Sequence, residues 1–244
     1  MTSANVPMSP PTHSDERVGY ASKGFYTFAR AVVIAIHPLI ARLRTVGIEN
    51  VPQTGPVVLA VNHVAWIDIP LASIRVPRIT HYMAKIELFR LPVLGGIMRL
   101  LGAFPVRRGE RDREALRISE RLLKQGEVLV IFPEGHRSGG HLIEAHPGTS
   151  LIALRTGAPV VPVAISGTEH VFKGFRYGPW APHVTISYGK PFHLEAASGG
   201  HRTREDLARS TDLIMYRIAE LLPPEYRGIY ALPPAGETAA PTSE

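Results

Sequence analysis

Cysteine is absent from all 244 residues. This removes disulfides, thiolate nucleophiles and cysteine-based zinc sites together, while saying little about compartment. Any nucleophile is therefore oxygen or nitrogen. The sequence has no Gly-x-Gly-x-x-Gly run and no Gly-Lys-Ser/Thr triplet, so nucleotide-driven chemistry has no phosphate loop to use. It has no His-Glu-x-x-His pattern either, and His136, His141 and His146 form no closed ligand set beside Glu134 and Glu144, so no metal is expected. No serine occupies a nucleophile elbow. Long apolar runs are missing as well. The strongest, Ala31 to Ala41, is interrupted by His37-Pro38, bounded by Arg30 and Arg42, and shorter than the roughly 20 residues that span a bilayer. Residues 1–20 are polar and Pro-containing, without the charged start, apolar core and cleavage site of a secretion signal. They read as a disordered tail, as do the Pro-, Ala- and Thr-rich residues 232–244.

What is present is a 45% apolar chain, long enough for one α/β unit with a small appended element. With 27 Lys and Arg against 21 Asp and Glu, the formal net charge is +6, and the pI is about 9.8, which favours an anionic partner. The excess is concentrated: between Arg75 and Lys124 lie twelve basic and five acidic residues, a net of +7. No recognition-helix or base-stacking pattern accompanies the charge, so lipid or a phosphorylated metabolite is expected and nucleic acid is not.

Patterning gives an alternating α/β chain. Residues 22–43 are aromatic and basic at the start and apolar later, with Pro38 expected to kink or divide the helix. This mixture suits a helix lying in a membrane interface better than a span, and residues 21–50 are read as that element. Residues 51–231 are read as the α/β domain. Strands are expected at 57–61, 79–83, 103–106, 127–132, 159–165 and 184–189. Helices are expected at 68–74, 89–101, 110–124, 149–156 and 204–222. The fold class is α/β, a mixed and largely parallel sheet flanked by helices, in which ligands gather where strands end.

Two strand ends carry the chemistry. The first delivers Asn62, His63 and, five positions later, Asp68, whose carboxylate can fix the imidazole tautomer and leave the other ring nitrogen free to accept a proton. This is the base half of a hydrolase triad without its serine, so the hydroxyl it activates belongs to a bound substrate. The second strand ends in Phe132-Pro133-Glu134-Gly135-His136-Arg137-Ser138. Here Arg137 faces the same pocket, and Glu134, ionised and paired, orients Arg137, backbone amides or an acceptor headgroup. Arg107 and Arg108 close a further strand with guanidinium forks suited to phosphate. Backbone amides around Asn62 or Gly135 are candidate oxyanion donors.

These blocks, Asn62-His63-x4-Asp68, Gly102-Ala103-Phe104-Pro105-Val106-Arg107, Phe132 to Ser138, and Val161-Pro162-Val163-Ala164-Ile165, resemble in order and spacing the glycerolipid acyltransferase family, especially its bacterial 1-acylglycerol-3-phosphate acyltransferases. The resemblance implies a fatty acyl group passed from acyl-coenzyme A or acyl-carrier protein to the sn-2 hydroxyl of an anionic lysophospholipid, with no tightly bound cofactor. It implies His63 as base with Asp68 as partner, and glycerol phosphate held by Arg107, Glu134, Gly135 and Arg137. It also gives Pro162 a part in shaping the acyl or donor region, and Lys85 a part in positive potential. The expected place of action is the cytoplasmic face of a membrane. Two departures stand out: His136 replaces the more usual threonine, and Arg108 doubles Arg107. Another lysolipid, a glycolipid or an amino-lipid remains open as acceptor. The rival of a different class is a non-enzymatic basic lipid-binding protein.

Overall fold

The computed structural model describes residues 21–107, 112–171, 173, 178–195 and 203–231. In chain order, helix α1 (Lys23–Ile40) leads into strand β1 (Arg42–Val46), β2 (Val57–Val61), the short helix α2 (Asp68–Leu71), β3 (Thr80–Lys85), α3 (Pro92–Leu100) and β4 (Ala103–Val106). There follow α4 (Arg113–Lys124), β5 (Val128–Ile131), α5 (Gly148–Thr156), β6 (Val160–Ser166), β7 (His183–Tyr188) and α6 (Arg204–Leu221). The tails at 1–20 and 232–244, and Arg108, lie outside the described residues.

The seven strands form one sheet in the order β1-β7-β6-β2-β5-β3-β4. Every pairing is parallel except β6 with β7, which is the mixed, largely parallel sheet expected. Side chains alternate across it, so the sheet feeds two cores. Val57, Leu59, Val61, Val128, Val130, Val161 and Val163 face α1 and α2. Val58, Ala60, Leu129, Ile131, Val160 and Ala164 face α4, α5 and α6. All five β2 residues are buried, at about 1.5–3 kcal/mol for each large side chain.

Helix α4 shows why its sequence is helical. Asp112 caps it by accepting from the Glu114 and Ala115 amides; Ala115, Ile118, Ser119, Leu122 and Leu123 turn inward, with Arg121 and Lys124 in the last turn, near the negative end of the helix dipole. Gly126 follows with φ +80°.

Two expectations need correction. Pro38 does not divide α1, which runs to Ile40. The proline cannot donate to the Ile34 carbonyl, but His37 Nδ1 does so at 2.7 Å, so the helix continues. Residues 42–46 are strand and not interface helix: β1 pairs with β7 from Arg42–His183 to Val46–Ser187.

Candidate active site

The carboxyl ends of β2, β5 and β6 meet at one edge of the sheet. Just past β2, Asn62 is buried. It accepts from the Ile165 N–H at 2.7 Å and donates to the Ile165 carbonyl at 2.9 Å. Its side chain thus adds one rung to the β2–β6 ladder and fixes where His63 leaves the sheet.

The chain then turns around Asp68. Its Oδ2 accepts from the Val64 amide at 2.6 Å, the Ala65 amide at 2.7 Å and His63 Nδ1 at 3.0 Å. A carboxylate only accepts, so Nδ1 holds the proton and Nε2 is the acceptor. The imidazole stacks on Phe132, centroids 4.3 Å apart. Asp68 is fully buried, and its second oxygen, Oδ1, has no hydrogen-bond partner among the described residues.

Glu134 arrives from β5 and is also fully buried. Its Oε1 accepts from the His63 amide at 2.7 Å and its Oε2 from the Ile143 amide at 3.3 Å. Burial pushes this carboxyl up to about 7, with the Asp68 charge adding to the rise and the two amides opposing it. Of the partners the sequence offered for Glu134, the structure supplies the backbone amides, with the Ser138 side chain bonding as well, and among the described residues it forms no ion pair with Arg137. Ser138 completes the clamp, donating to the His63 carbonyl from its amide at 2.7 Å and from its hydroxyl at 3.2 Å. Gly135 has φ +70°, and a Cβ there would meet His146 Cδ2 at 2.8 Å, so this turn requires glycine.

With this geometry the sequence of residues 42–166 matches the acyltransferase family. The chain belongs to that family. It is 30% identical over 197 residues to the 1-acyl-sn-glycerol-3-phosphate acyltransferase of Bacillus subtilis, covering 80% of this chain and 96% of that one. It is 36% identical over 115 residues to the lyso-ornithine lipid O-acyltransferase of Pseudomonas aeruginosa, covering 46% of this chain and 43% of that one. The crystal structure of the 1-acyl-sn-glycerophosphate (LPA) acyltransferase PlsC from Thermotoga maritima superposes with a TM-score of 0.58 and 26% identity, over 82% of this chain and 79% of that one.

In this acyltransferase, His136 and Arg137 are exposed on the loop beyond Gly135, and no ion pair among the described residues engages Arg137. Arg107 is exposed just past β4, its amide donating to Asp112 at 2.8 Å. The β3–β4 register sets Lys85 beside Val106, next to Arg107, and Lys85 pairs with Glu87 at 3.4 Å. Strand order separates these two cations from His63: β3, which ends in Lys85, is two strands from β2 and β4 is three, roughly 10 and 14 Å at about 4.8 Å per strand. Pro162 is not at the edge. It is buried in mid-strand opposite Ala60, where the β6–β7 register slips by one residue between Val163–Tyr188 and Val160–Phe192. Its missing N–H falls at that slip.

Of the amides around Asn62 and Gly135, three are already engaged: Asn62 donates to the Val163 carbonyl at 3.4 Å, His63 to Glu134 at 2.7 Å and Gly135 to the Phe132 carbonyl at 3.0 Å. Among the described residues no three His, Cys, Asp or Glu side chains are grouped to hold a metal ion, and no helix is long and apolar enough to cross a membrane. Sequence reasoning missed Ser138 and Phe132 as supports of His63. Both stand in the quoted motif, but no local pattern tells that its backbone folds onto a histidine 75 residues away.

Proposed function

We propose that this acyltransferase moves a fatty acyl group from acyl-coenzyme A or acyl-carrier protein to the sn-2 hydroxyl of 1-acyl-glycerol-3-phosphate, giving phosphatidic acid. The observation that carries the reading is the His63–Asp68 pair, with Nδ1 engaged and Nε2 left to accept a proton. The relatives named above support the acceptor class. His63 Nε2 takes the acceptor's hydroxyl proton as that oxygen attacks the thioester carbonyl, and Asp68 stabilises the imidazolium that forms. The tetrahedral intermediate collapses, the thiolate leaves, and the imidazolium returns the proton. No acyl-enzyme forms.

Arg137 and Arg107, with Lys85 beside it and Arg108 next in the sequence, supply the positive charge for the acceptor phosphate. Glu134 is a positioning residue, acting through the peptide of His63. Helix α1 associates with the cytoplasmic leaflet, leaving the protein peripheral. A second reading has a specific support: the 36% identity to a lyso-ornithine lipid O-acyltransferase, together with His136 in the third block, favours an amino-lipid acceptor with the same chemistry.

The test is transfer of labelled acyl groups from acyl-coenzyme A to lysophosphatidate in mixed micelles, comparing wild type with His63→Ala. Product from wild type alone supports the reading. Product with lyso-ornithine lipid and none with lysophosphatidate would move the assignment to the second reading. Equal product from both proteins removes His63 as base.

A further inference from the structure

The two helical layers of this protein differ in chemistry. Helix α4 carries Arg113, Glu114, Arg117, Glu120, Arg121 and Lys124 in twelve residues. The layer on the opposite face of the sheet is apolar on its outside. Helix α1 exposes Phe28, Val32, Ile36 and Leu39, three of them at successive i, i+4 steps along one stripe. Helix α3 has a single charged residue, Arg99, in its nine, yet it exposes Val93, Leu94, Ile97 and Leu100, with Val93 at 77%. Folding does not account for that composition, because Gly95 is the only buried residue of the helix, with Met98 packing partly against the core.

The helices α1 and α3 meet at one end. The Ser22 amide, at the start of α1, donates to the Leu100 carbonyl at the end of α3, 3.0 Å away. Trp66 and Ile69 are exposed on the turn into α2, beside His63. Isolated surface apolar residues need no explanation, but two exposed apolar helix faces that start from one junction mark an interaction surface. The surrounding charge selects the partner. Lys23, Arg30, Arg90 and Arg99 belong to these segments, and within residues 21–40 and 86–101 the only acid is Glu87. A second copy of the chain would press one positive rim against another, whereas an anionic bilayer takes up both the apolar faces and the rim.

We propose that α3 is a second membrane anchor, so that α1, α3 and Trp66 together dip into an anionic lipid surface with the His63 cleft at their margin. This deepens the acyl-transfer reading by naming the part of the fold that meets the membrane, and its binding test does not depend on turnover. The full chain is sedimented with vesicles of phosphatidylglycerol and phosphatidylcholine, comparing wild type, Val93→Ser/Ile97→Ser on α3, and Leu213→Ser on α6 as a control that is likewise exposed.

The α3 double variant is expected to partition at least about tenfold more weakly, with Leu213→Ser unchanged. It should keep wild-type turnover on a short-chain acceptor dissolved as monomer, which also shows that it is folded. Binding equal to wild type, or an equal loss in Leu213→Ser, overturns the proposal. A second measurement uses Trp180→Phe to leave Trp66 as the sole tryptophan. Quenching of its emission by brominated lipid is expected, and no quenching would count against the orientation. Should no protein, wild type included, transfer acyl groups while vesicle binding divides as expected, the acyl-transfer reading fails and the anchor stands.

Discussion

Replacing Asp68 by asparagine separates what its charge does from what its shape does. Three hydrogen bonds converge on one oxygen, Oδ2, from His63 Nδ1, Val64 and Ala65, while Oδ1 is buried without a partner among the described residues. In Asp68→Asn the amide oxygen can occupy the Oδ2 position and the NH2 the Oδ1 position. The turn and the Nδ1–H tautomer then survive, and only the charge facing the imidazolium is lost. Hydrogen bonds to charged groups contribute about 1.5–3 kcal/mol, against about 0.5–1.5 kcal/mol for neutral ones. The difference, about 1–2 kcal/mol in the transition state, lowers kcat about five- to thirtyfold. The buried NH2 without an acceptor costs about 1–3 kcal/mol of stability, visible as a reduced Tm. Asp68→Ala removes all three bonds and is expected to fall near His63→Ala. Coenzyme A release can be followed with a thiol reagent, without background from a protein that has no cysteine. A folded Asp68→Asn protein within twofold of wild type, or as inactive as His63→Ala, would refute this division of labour.

Glu134 makes a pH prediction. Its folded pKa of about 7 lies above the ordinary 4.5, so its contribution to stability is fully present below pH 4.5 and is lost as pH rises through 7, on the order of 3 kcal/mol in all. Urea titrations at pH 5 and pH 8 should show a smaller difference between the two pH values for Glu134→Gln than for wild type, and an unchanged difference would count against a protonated Glu134. Gly135→Ala forces φ +70° on an alanine whose Cβ meets the His146 ring; a loss of about 1–3 kcal/mol is expected from denaturant midpoints. His37→Ala strips the Ile34 carbonyl of its donor, and a stability loss of about 1–3 kcal/mol with unchanged kcat on a soluble acceptor is expected.

The strands that build the site were readable because each is a short, nearly continuous apolar run: β2, β5 and β6 are buried on both faces, a pattern hard to mistake. Strand β1 was not. Arg42-Leu43-Arg44-Thr45-Val46 at a sheet edge alternates between exposed and half-buried, and its partner β7 lies some 140 residues later. The His63–Asp68 pairing was legible because both residues lie in one turn. For Glu134 the sequence left Arg137, backbone amides and a headgroup open as partners, because the amides it bonds are contributed by two separate loops that no linear motif brings together. The separation between Arg107 and His63 was hidden in strand order, which a linear motif does not record. Pro38 was read as a break because propensity describes the backbone donor that is missing and not the side chain that replaces it.

The clamp on His63 has a consequence for regiochemistry. Its amide is bonded to Glu134 and its carbonyl to Ser138, while its ring is bonded to Asp68 and stacked on Phe132. On the proposed mechanism, a base held at peptide and ring together cannot follow its substrate. Selection among hydroxyls then becomes a measurement of length: a lipid tethered by its headgroup offers each hydroxyl at its own height, and Nε2 is a fixed mark on that scale. On that mechanism, changing which oxygen is acylated calls for moving the cations proposed to hold the headgroup, with the base left where it is.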